Sequence, residues 1–262
     1  MNDEVCQDKA CARPLQGPAF LLPAHRLGVL RDLPETVTPL AQFDLTTRWG
    51  RFLTYLNYMW KDHAYLRVGF QNAHWIGTNL IRTNQPWPFQ LKWWRDHGVK
   101  TVINLRGGGY ETSFYVLERE ACKNLGLNLV NFAVSSREAP TKDQVLNAVK
   151  MFNEVEYPAI MHCKSGADRA GIMSVLYAHL HLGLPLREAL KKELTFRTLH
   201  SSAGLTGILD YTFERYFQDA EPHGLSFLDW VQTPEYDPAA LKAEFRATWW
   251  GTLVTERLLR RE

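Results

Sequence analysis

Apolar residues recur along the chain with two different periods, which together predict alternating strands and helices between residues 64 and 219. Short apolar runs typical of strands occur at 65–70, 75–82, 101–105, 129–134 and 158–161. Apolar residues at helical spacing occur at 89–97, 114–125, 141–152 and 172–182. Strands that alternate with helices predict an α/β fold, in which a central, mostly parallel sheet is flanked by helices on both faces.

The two ends of the chain differ from this central part. Residues 1–40 are rich in proline and lack periodicity, so we expect an irregular tail there, whereas 41–63 and 220–262 are predicted to be helical extensions. In the first extension, apolar residues recur at helical spacing and form a stripe of Trp49, Phe52, Leu53, Leu56 and Trp60. We expect this aromatic stripe to dock the helix on the core; the alternative is a helix that lies in a membrane interface.

Composition and charge refine this picture mainly by exclusion. A net charge of +2 over 262 residues gives no indication of nucleic-acid binding. The four cysteines do not form a disulfide pattern, and Cys6 and Cys11 lack a second pair at ligand spacing, so no metal or other cofactor is expected. Neither a secretory signal nor a membrane-spanning run is predicted. We expect a cytoplasmic protein, with peripheral contact at the inner membrane face left open and the oligomeric state not predicted.

The residues with candidate chemistry lie between the apolar run 158–161 and the helical pattern that follows. They are His162, Cys163, Lys164, Ser165, Gly166, Ala167, Asp168 and Arg169. Backbone N–H groups of such a loop converge at a helix N-terminus, where they favour a thiolate at Cys163 and fit the oxygens of a phosphoryl group. Gly166 permits the curl, and Arg169 offers a planar fork for two phosphate oxygens. We expect His162 to bond the backbone near Cys163 and support the loop.

The motif H-C-x-x-G-x-x-R-x-G, which runs from His162 to Gly171, resembles the signature of the cysteine-based protein tyrosine phosphatase superfamily. Residues 74–217 are similar to its compact dual-specificity branch, in particular to bacterial tyrosine/serine phosphatases and atypical fungal and plant phosphatases. The resemblance implies a phosphatase domain over 64–219. It also implies a hydrolase that acts through a cysteinyl-phosphate, with Cys163 as the nucleophile, Arg169 as the phosphate clamp and the loop residues 164–167 around the substrate.

The proton donor departs from the pattern of the resembled superfamily. Those enzymes usually carry an aspartate on a loop before the cysteine, but here that loop, 134–140, contains none. Asp168, next to Arg169, is the better candidate, and Glu138 on the expected loop is the alternative. Ala170 stands where many relatives have a serine or threonine that assists the departing thiolate, so we expect slow breakdown of the cysteinyl-phosphate.

The substrate stays open at the level of the sequence. Arg106 and Arg137 lie at predicted strand or loop ends on the side of the site, where each is either a substrate contact or simply solvated. Lys164 adds a cation beside the nucleophile, which suits a substrate with several phosphates. The default function is a tyrosine or dual-specificity protein phosphatase. The alternatives are a phosphatase of inositol phosphates, phospholipids or phosphorylated glycolipids, and a phosphate-binding pseudophosphatase without turnover.

Overall fold

A computed structural model describes residues 43–109, 111–202 and 204–246 of the chain. The predictions for the tail 1–40, including Cys6 and Cys11, and for the end of the C-terminal helix lie outside the described residues. The boundaries proposed for the central domain and its extensions stay predictions.

The centre of the fold is a five-stranded sheet with the order β1-β2-β5-β3-β4. Its strands are β1 His74–Ile76, β2 Leu80–Thr83, β3 Thr101–Asn104, β4 Asn128–Asn131 and β5 Ala159–His162. β1 is antiparallel to β2, and every other pairing is parallel, which confirms the mostly parallel sheet. β5 is the middle strand and all of its residues are buried, so the candidate loop that follows it starts at the centre of the sheet.

The helices occupy the segments between and after the strands. They are α1 Arg48–Lys61, α2 Pro88–Asp96, α3 Ser113–Leu125, α4 Lys142–Glu154, α5 Asp168–Leu176, α6 Leu186–Glu193, α7 Ile208–Asp219 and α8 Phe227–Trp230. A further helix, α9, is described over 238–246. Local signals set several of their ends, because Thr141 and Gln144 form a capping box at the start of α4 and Gly126 ends α3 at a φ of +68°.

Helices cover both faces of the sheet, as predicted. Side chains of alternating strand residues point to opposite faces, so Ile103 and Met161 join a core with α4, α5 and α7, whereas Val102 and Ile160 join a core with α2 and α3. Cys122 of α3 is buried in the second core, and burial raises the pKa of its thiol far above the ordinary range. This cysteine is therefore a packing residue. In the described ranges, no helix is long and apolar enough to cross a bilayer.

The strand predicted at 65–70 is wrong, since Ala64–Arg67 forms a short 3₁₀ helix. Side chains satisfy its backbone carbonyls in place of a neighbouring strand. Trp87 Nε1 donates to the carbonyl of Ala64 at 3.0 Å, and Gln90 Nε2 donates to that of Arg67 at 2.9 Å. These donors come from the start of α2, which the local pattern of 65–70 does not reveal.

The predicted docking of α1 by its aromatic stripe is also wrong. The helix forms where expected, but Trp49, Phe52, Leu53 and Trp60 are exposed, and the buried residues are Thr54 and Tyr58. The opposite face holds the helix because Arg51 forms two hydrogen bonds with the Glu120 carboxylate of α3, at 2.6 and 2.7 Å. The Tyr58 ring also packs edge-on against Trp87, with 4.7 Å between ring centroids.

Candidate active site

The candidate phosphate loop spans residues 163–167, between the end of β5 and the start of α5. Cys163 is 1 % exposed, and the backbone N–H of Gly166 donates to its Sγ atom at 3.2 Å. Gly166 has a φ of +73°, and a Cβ there would lie 2.7 Å from the Asn84 nitrogen and 2.8 Å from the Thr83 carbonyl carbon. A side chain at this position would push the loop away from β2, so the tight curl requires glycine.

Arg82, the third residue of β2, holds the other side of this loop. Its guanidinium is fully buried and donates from Nη2 to the carbonyls of Gly166 and Ala167, at 2.7 and 2.8 Å. Nη1 donates to the carbonyl of Glu193 at the end of α6. Burial lowers the pKa of Arg82, while the charges of Glu193 and Cys163 oppose this shift.

The orientation of these carbonyls determines where the loop donors point. In a trans peptide the C=O and N–H groups point in opposite directions, so the amides of Ala167 and Asp168 are directed away from Arg82. The Ala167 N–H has Oγ of Ser165 as an acceptor at 3.4 Å, and the loop amides thus lie on the side of the loop opposite the buried guanidinium. Arg82 was not predicted as a site residue; the available signal was a charged residue at the end of an apolar strand.

The two cations of the candidate site differ in their protein contacts. Arg169 lies in the first turn of α5 and is half-buried. Across the described ranges, no hydrogen bond or ion pair joins its guanidinium to another residue. The side chain of Lys164 is 42 % exposed, and its Nζ atom lies 3.6 Å from Oδ1 of Asp62. Arg169 is therefore the cation that is available for two oxygens of a ligand.

His162 does not bond the backbone beside Cys163, which corrects the expected contact. Its ring is fully buried, and Nε2 lies 2.6 Å from Oε1 of Glu118 on α3, out of line for a hydrogen bond. Gln85 Nε2 donates to the same carboxylate oxygen at 2.7 Å. A buried imidazole and a buried carboxylate in contact therefore support the entrance of the loop.

Arg106 is engaged by Asp62, the residue directly after α1. Its guanidinium donates to both carboxylate oxygens of Asp62, at 2.6 and 3.0 Å, and lies over the Phe114 ring. Arg67 also binds Asp62, with 2.5 Å between Nη2 and Oδ2. Burial raises the pKa of Asp62, but Arg106, Arg67 and Lys164 outweigh this effect and hold the pKa below its usual value. Asp62 is thus an ionised counter-charge that the sequence pattern did not indicate.

Asp168 belongs to a chain of three hydrogen-bonded ionisable groups. Its Oδ1 atom lies 2.8 Å from Nδ1 of His200, whose Nε2 atom lies 2.8 Å from Oδ2 of Asp210 on α7. The His200 side chain is 2 % exposed. Burial lowers the pKa of His200, but the hydrogen bonds to the two carboxylates raise it to about 9 overall. At neutral pH His200 is therefore an imidazolium that donates to both aspartates.

A second contact ties this group to the phosphate loop. Asn72 Nδ2 donates to the carbonyl of Ser165 at 3.1 Å and to that of Thr198 at 3.2 Å. The segment that carries His200 is thus bonded to the loop that carries Lys164 and Ser165. His200 and Asp210 gave no signal in the sequence, because a lone histidine in a loop has no motif.

The sequence model of a family described as "DSP-PTPase phosphatase fused to NAD+ Kinase" matches residues 72–203, half of the chain. The chain belongs to this family. It is a member of the cysteine-based, dual-specificity-like phosphatase superfamily, as the motif at 162–171 indicated. The matched range includes the phosphate loop, Arg82, Arg106 and His200, but neither Asp62 nor Asp210.

Solved structures similar to this chain include phosphatases from several sources. Tk-PTP in its active form is 20 % identical, and the match covers 49 % of this chain and 91 % of that chain, with a TM-score of 0.41. TpbA of P. aeruginosa is 18 % identical, over 62 % of this chain and 92 % of its own, with a TM-score of 0.47. The core catalytic domain of the PP-IP phosphatase SIW14 from S. cerevisiae is 14 % identical, and the match covers 60 % of this chain and 95 % of that chain, with a TM-score of 0.45. No curated protein matches the chain.

Glu138 and Arg137, two further candidate site residues, lie on the loop before α4. Glu138 is exposed, and its Oε1 atom lies 2.6 Å from Nζ of Lys242 on α9. The hydrogen bond and charge of Lys242 lower the pKa of Glu138. Arg137 is exposed as well, and within the described residues no hydrogen bond or ion pair links either residue to 163–169. The structure thus brings Cys163, Asp168 and Arg169 together, whereas Glu138 faces the C-terminal helix.

Proposed function

We propose that the protein hydrolyses phosphate monoesters through a cysteinyl-phosphate formed on Cys163. The observation that carries this proposal is the position of the Cys163 Sγ atom. It lies at the start of a curled loop at the N-terminus of α5, receives the Gly166 N–H at 3.2 Å, and is followed by Arg169, which has no protein partner within the described residues. Membership in the phosphatase family supports the same reaction class.

The proposed reaction has two steps that use the same loop. First, the Cys163 thiolate attacks phosphorus, an S–P bond forms, the P–O bond to the leaving group breaks, and an acid protonates the departing oxygen. Water then attacks phosphorus, the S–P bond breaks, the thiolate is restored, and the conjugate base takes a proton from the water. Arg169 and the loop amides stabilise the charge on the non-bridging phosphate oxygens in both steps. Because Ala170 supplies no hydroxyl, we expect the second step to be slow.

We propose Asp168 as the acid of the first step, with Glu138 as the alternative. His200 fixes Oδ1 of Asp168, which leaves Oδ2 for proton transfer, and Asp168 directly precedes Arg169. Replacement Asp168→Asn is expected to lower turnover about 10²-fold or more for an alkyl phosphate, whose leaving group needs a proton. For p-nitrophenyl phosphate, whose leaving group is stable as an anion, the expected loss is much smaller. Phosphate release from both substrates measures the difference.

Glu138→Gln is the matched control, since it also converts an acid to an amide. It is expected to change both rates by less than about threefold, because Glu138 is exposed and paired with Lys242. Equal losses for the two leaving groups in Asp168→Asn would contradict the assignment. A loss dependent on the leaving group in Glu138→Gln alone would transfer the role to Glu138.

The proposed default substrate is a phosphoprotein, and a non-protein phosphomonoester is the second candidate. Lys164 favours the second, because an additional cation next to the nucleophile suits a ring or headgroup with several phosphates. The Asp62 carboxylate, whose Oδ1 atom lies 3.6 Å from Nζ of Lys164, already balances part of the positive charge of Lys164. Arg106, bound to Asp62, and Arg137, exposed on its loop, are the other proposed cations for such a substrate.

A phosphate-release screen tests the function and its substrate class together. The purified full-length protein is assayed with p-nitrophenyl phosphate, phosphopeptides, inositol phosphates and phosphorylated lipids. We expect release from the aryl phosphate and a preference of at least about tenfold in kcat/KM for one natural class, which corresponds to 1.4 kcal/mol of transition-state binding. Absence of release from every substrate, together with measurable phosphate binding, would favour the pseudophosphatase instead.

A further inference from the structure

The exposed face of α1 is a feature that the proposed reaction does not explain. Trp49 is 67 % exposed, Trp60 64 %, Phe52 50 % and Leu53 46 %. At 100° per residue these four side chains fall within an arc of about 100°, opposite the buried Thr54 and Tyr58. The helix is therefore amphipathic with its apolar face directed outward.

The exposed apolar residues continue beyond the helix. The rings of Trp49 and Phe52 are 5.5 Å apart, and the ring of Trp60 lies 5.6 Å from that of Tyr65 in the 3₁₀ helix. We define the aromatic surface as this set of neighbours: Trp49, Phe52, Leu53, Trp60, Tyr65 and Leu66. Single exposed apolar residues are common, but neighbouring ones of this size mark an interaction site.

Cations border the aromatic surface. Arg48 and Lys61, at the two ends of α1, are exposed, and the helix contains no acidic residue. Arg51 is not available in the same way because it is bound to Glu120. Tryptophan and tyrosine suit the headgroup region of a bilayer, and arginine and lysine next to them reach anionic lipid phosphates.

The aromatic surface borders the candidate active site. Asp62 follows α1 directly, binds Arg106 and lies 3.6 Å from Lys164 of the phosphate loop. Arg67, in the same 3₁₀ helix as Tyr65 and Leu66, binds the same carboxylate. One end of the aromatic surface, formed by Trp60, Tyr65 and Leu66, is therefore linked through Asp62 and Arg67 to the residues around the phosphate loop.

We propose that the aromatic surface docks the protein on an anionic phospholipid bilayer. A 14-residue helix is about 21 Å long and about 10 Å wide, so its outward face offers roughly 200 Å². A stable protein–protein interface buries about 800 Å² per partner, so α1 alone is too small for a second copy. A bilayer has no such threshold, because a few inserted aromatic side chains and flanking cations suffice for reversible binding.

Vesicle co-sedimentation of the full-length protein tests this docking. The wild type is expected to bind vesicles of phosphatidylcholine with phosphatidylglycerol at least about tenfold more tightly than vesicles of phosphatidylcholine alone. The double variant Trp49→Ser with Trp60→Ser is expected to lose about tenfold or more in partitioning to the anionic vesicles. The double variant Arg48→Gln with Lys61→Gln is expected to lose the preference for phosphatidylglycerol.

Trp75→Ser is the matched control, since Trp75 is 55 % exposed but lies on the edge strand β1, outside the aromatic surface. It should bind the vesicles as the wild type does, and circular dichroism checks that every variant is folded. Absence of wild-type binding, or undiminished binding of Trp49→Ser with Trp60→Ser, overturns the proposal. Concentration-dependent dimerisation of the wild type that Trp49→Ser with Trp60→Ser abolishes would also overturn the proposal, because the aromatic surface would then be an interface with a second copy.

The proposed bilayer docking and the proposed phosphatase reaction can each fail without the other. Turnover of p-nitrophenyl phosphate by the wild type without vesicle binding defeats the docking alone. Vesicle binding without turnover of any phosphate monoester defeats the phosphatase reaction alone. If both hold, phosphomonoesters within a bilayer become the first natural substrates to assay.

Discussion

Replacement Cys163→Ser is expected to lower kcat/KM for p-nitrophenyl phosphate by about 10⁴-fold or more. A serine hydroxyl is not ionised at neutral pH and is a far weaker nucleophile than a thiolate, so the proposed attack on phosphorus is lost. The fold should persist, because one oxygen replaces one sulfur at a position where the Gly166 N–H is already a donor. Phosphate release and thermal unfolding, followed by circular dichroism, measure the two effects separately.

Cys122→Ser provides the matched control within the same chain. Cys122 is also a free, buried cysteine, but it packs among apolar residues of α2 and α3. A serine hydroxyl at this position would be buried among apolar side chains, so we expect a loss of about 1–3 kcal/mol in the free energy of unfolding. Turnover should be largely retained. Retention of more than about a hundredth of wild-type turnover in Cys163→Ser would refute the proposed nucleophile.

Arg82→Met is expected to have the largest effect on stability, a loss of about 3–5 kcal/mol in the free energy of unfolding. Methionine fills much of the same volume but leaves the carbonyls of Gly166, Ala167 and Glu193 without their buried donor. It also removes the guanidinium that lies 3.7 Å from the Glu193 carboxylate. Urea unfolding followed by circular dichroism measures the loss. Turnover should fall as well, because the loop amides lose the constraint on their direction.

Arg187→Met is the control for this substitution. Arg187 also pairs with a glutamate, Glu221, but both side chains are largely exposed, so the expected loss is less than about 1 kcal/mol. An Arg82→Met protein that is as stable as Arg187→Met would show that the loop holds its shape without the buried guanidinium.

The sequence predicted the parts of this structure that depend on neighbouring residues. The order of strand, loop and helix around Cys163 follows from an apolar run, a glycine and a helical pattern within a short segment. The capping box at Thr141 and the end of α3 at Gly126 are equally local. The phosphate loop could therefore be predicted from its own segment, without knowledge of the residues that surround it in the fold.

The parts that the sequence did not predict depend on contacts between distant segments. Asp62 reaches Arg106 across 44 residues, and His200 reaches Asp168 across 32, with no spacing rule that links either pair. The prediction of which face of α1 packs on the core was wrong for a related reason. An apolar stripe establishes that a helix has two different faces, but the contacts of Arg51 and Tyr58 decide which face meets the core.

The residues that the family model matches do not include every aspartate that pairs with the cations around the phosphate loop. Arg106 and His200 lie within residues 72–203, whereas their carboxylate partners, Asp62 and Asp210, lie on either side of that range. A protein trimmed to 72–203 would keep a buried guanidinium and a buried imidazole while losing an aspartate from each. In such a protein Arg106 would lack its carboxylate partner and His200 would keep only Asp168, so comparisons of activity between family members should use chains that retain both flanks.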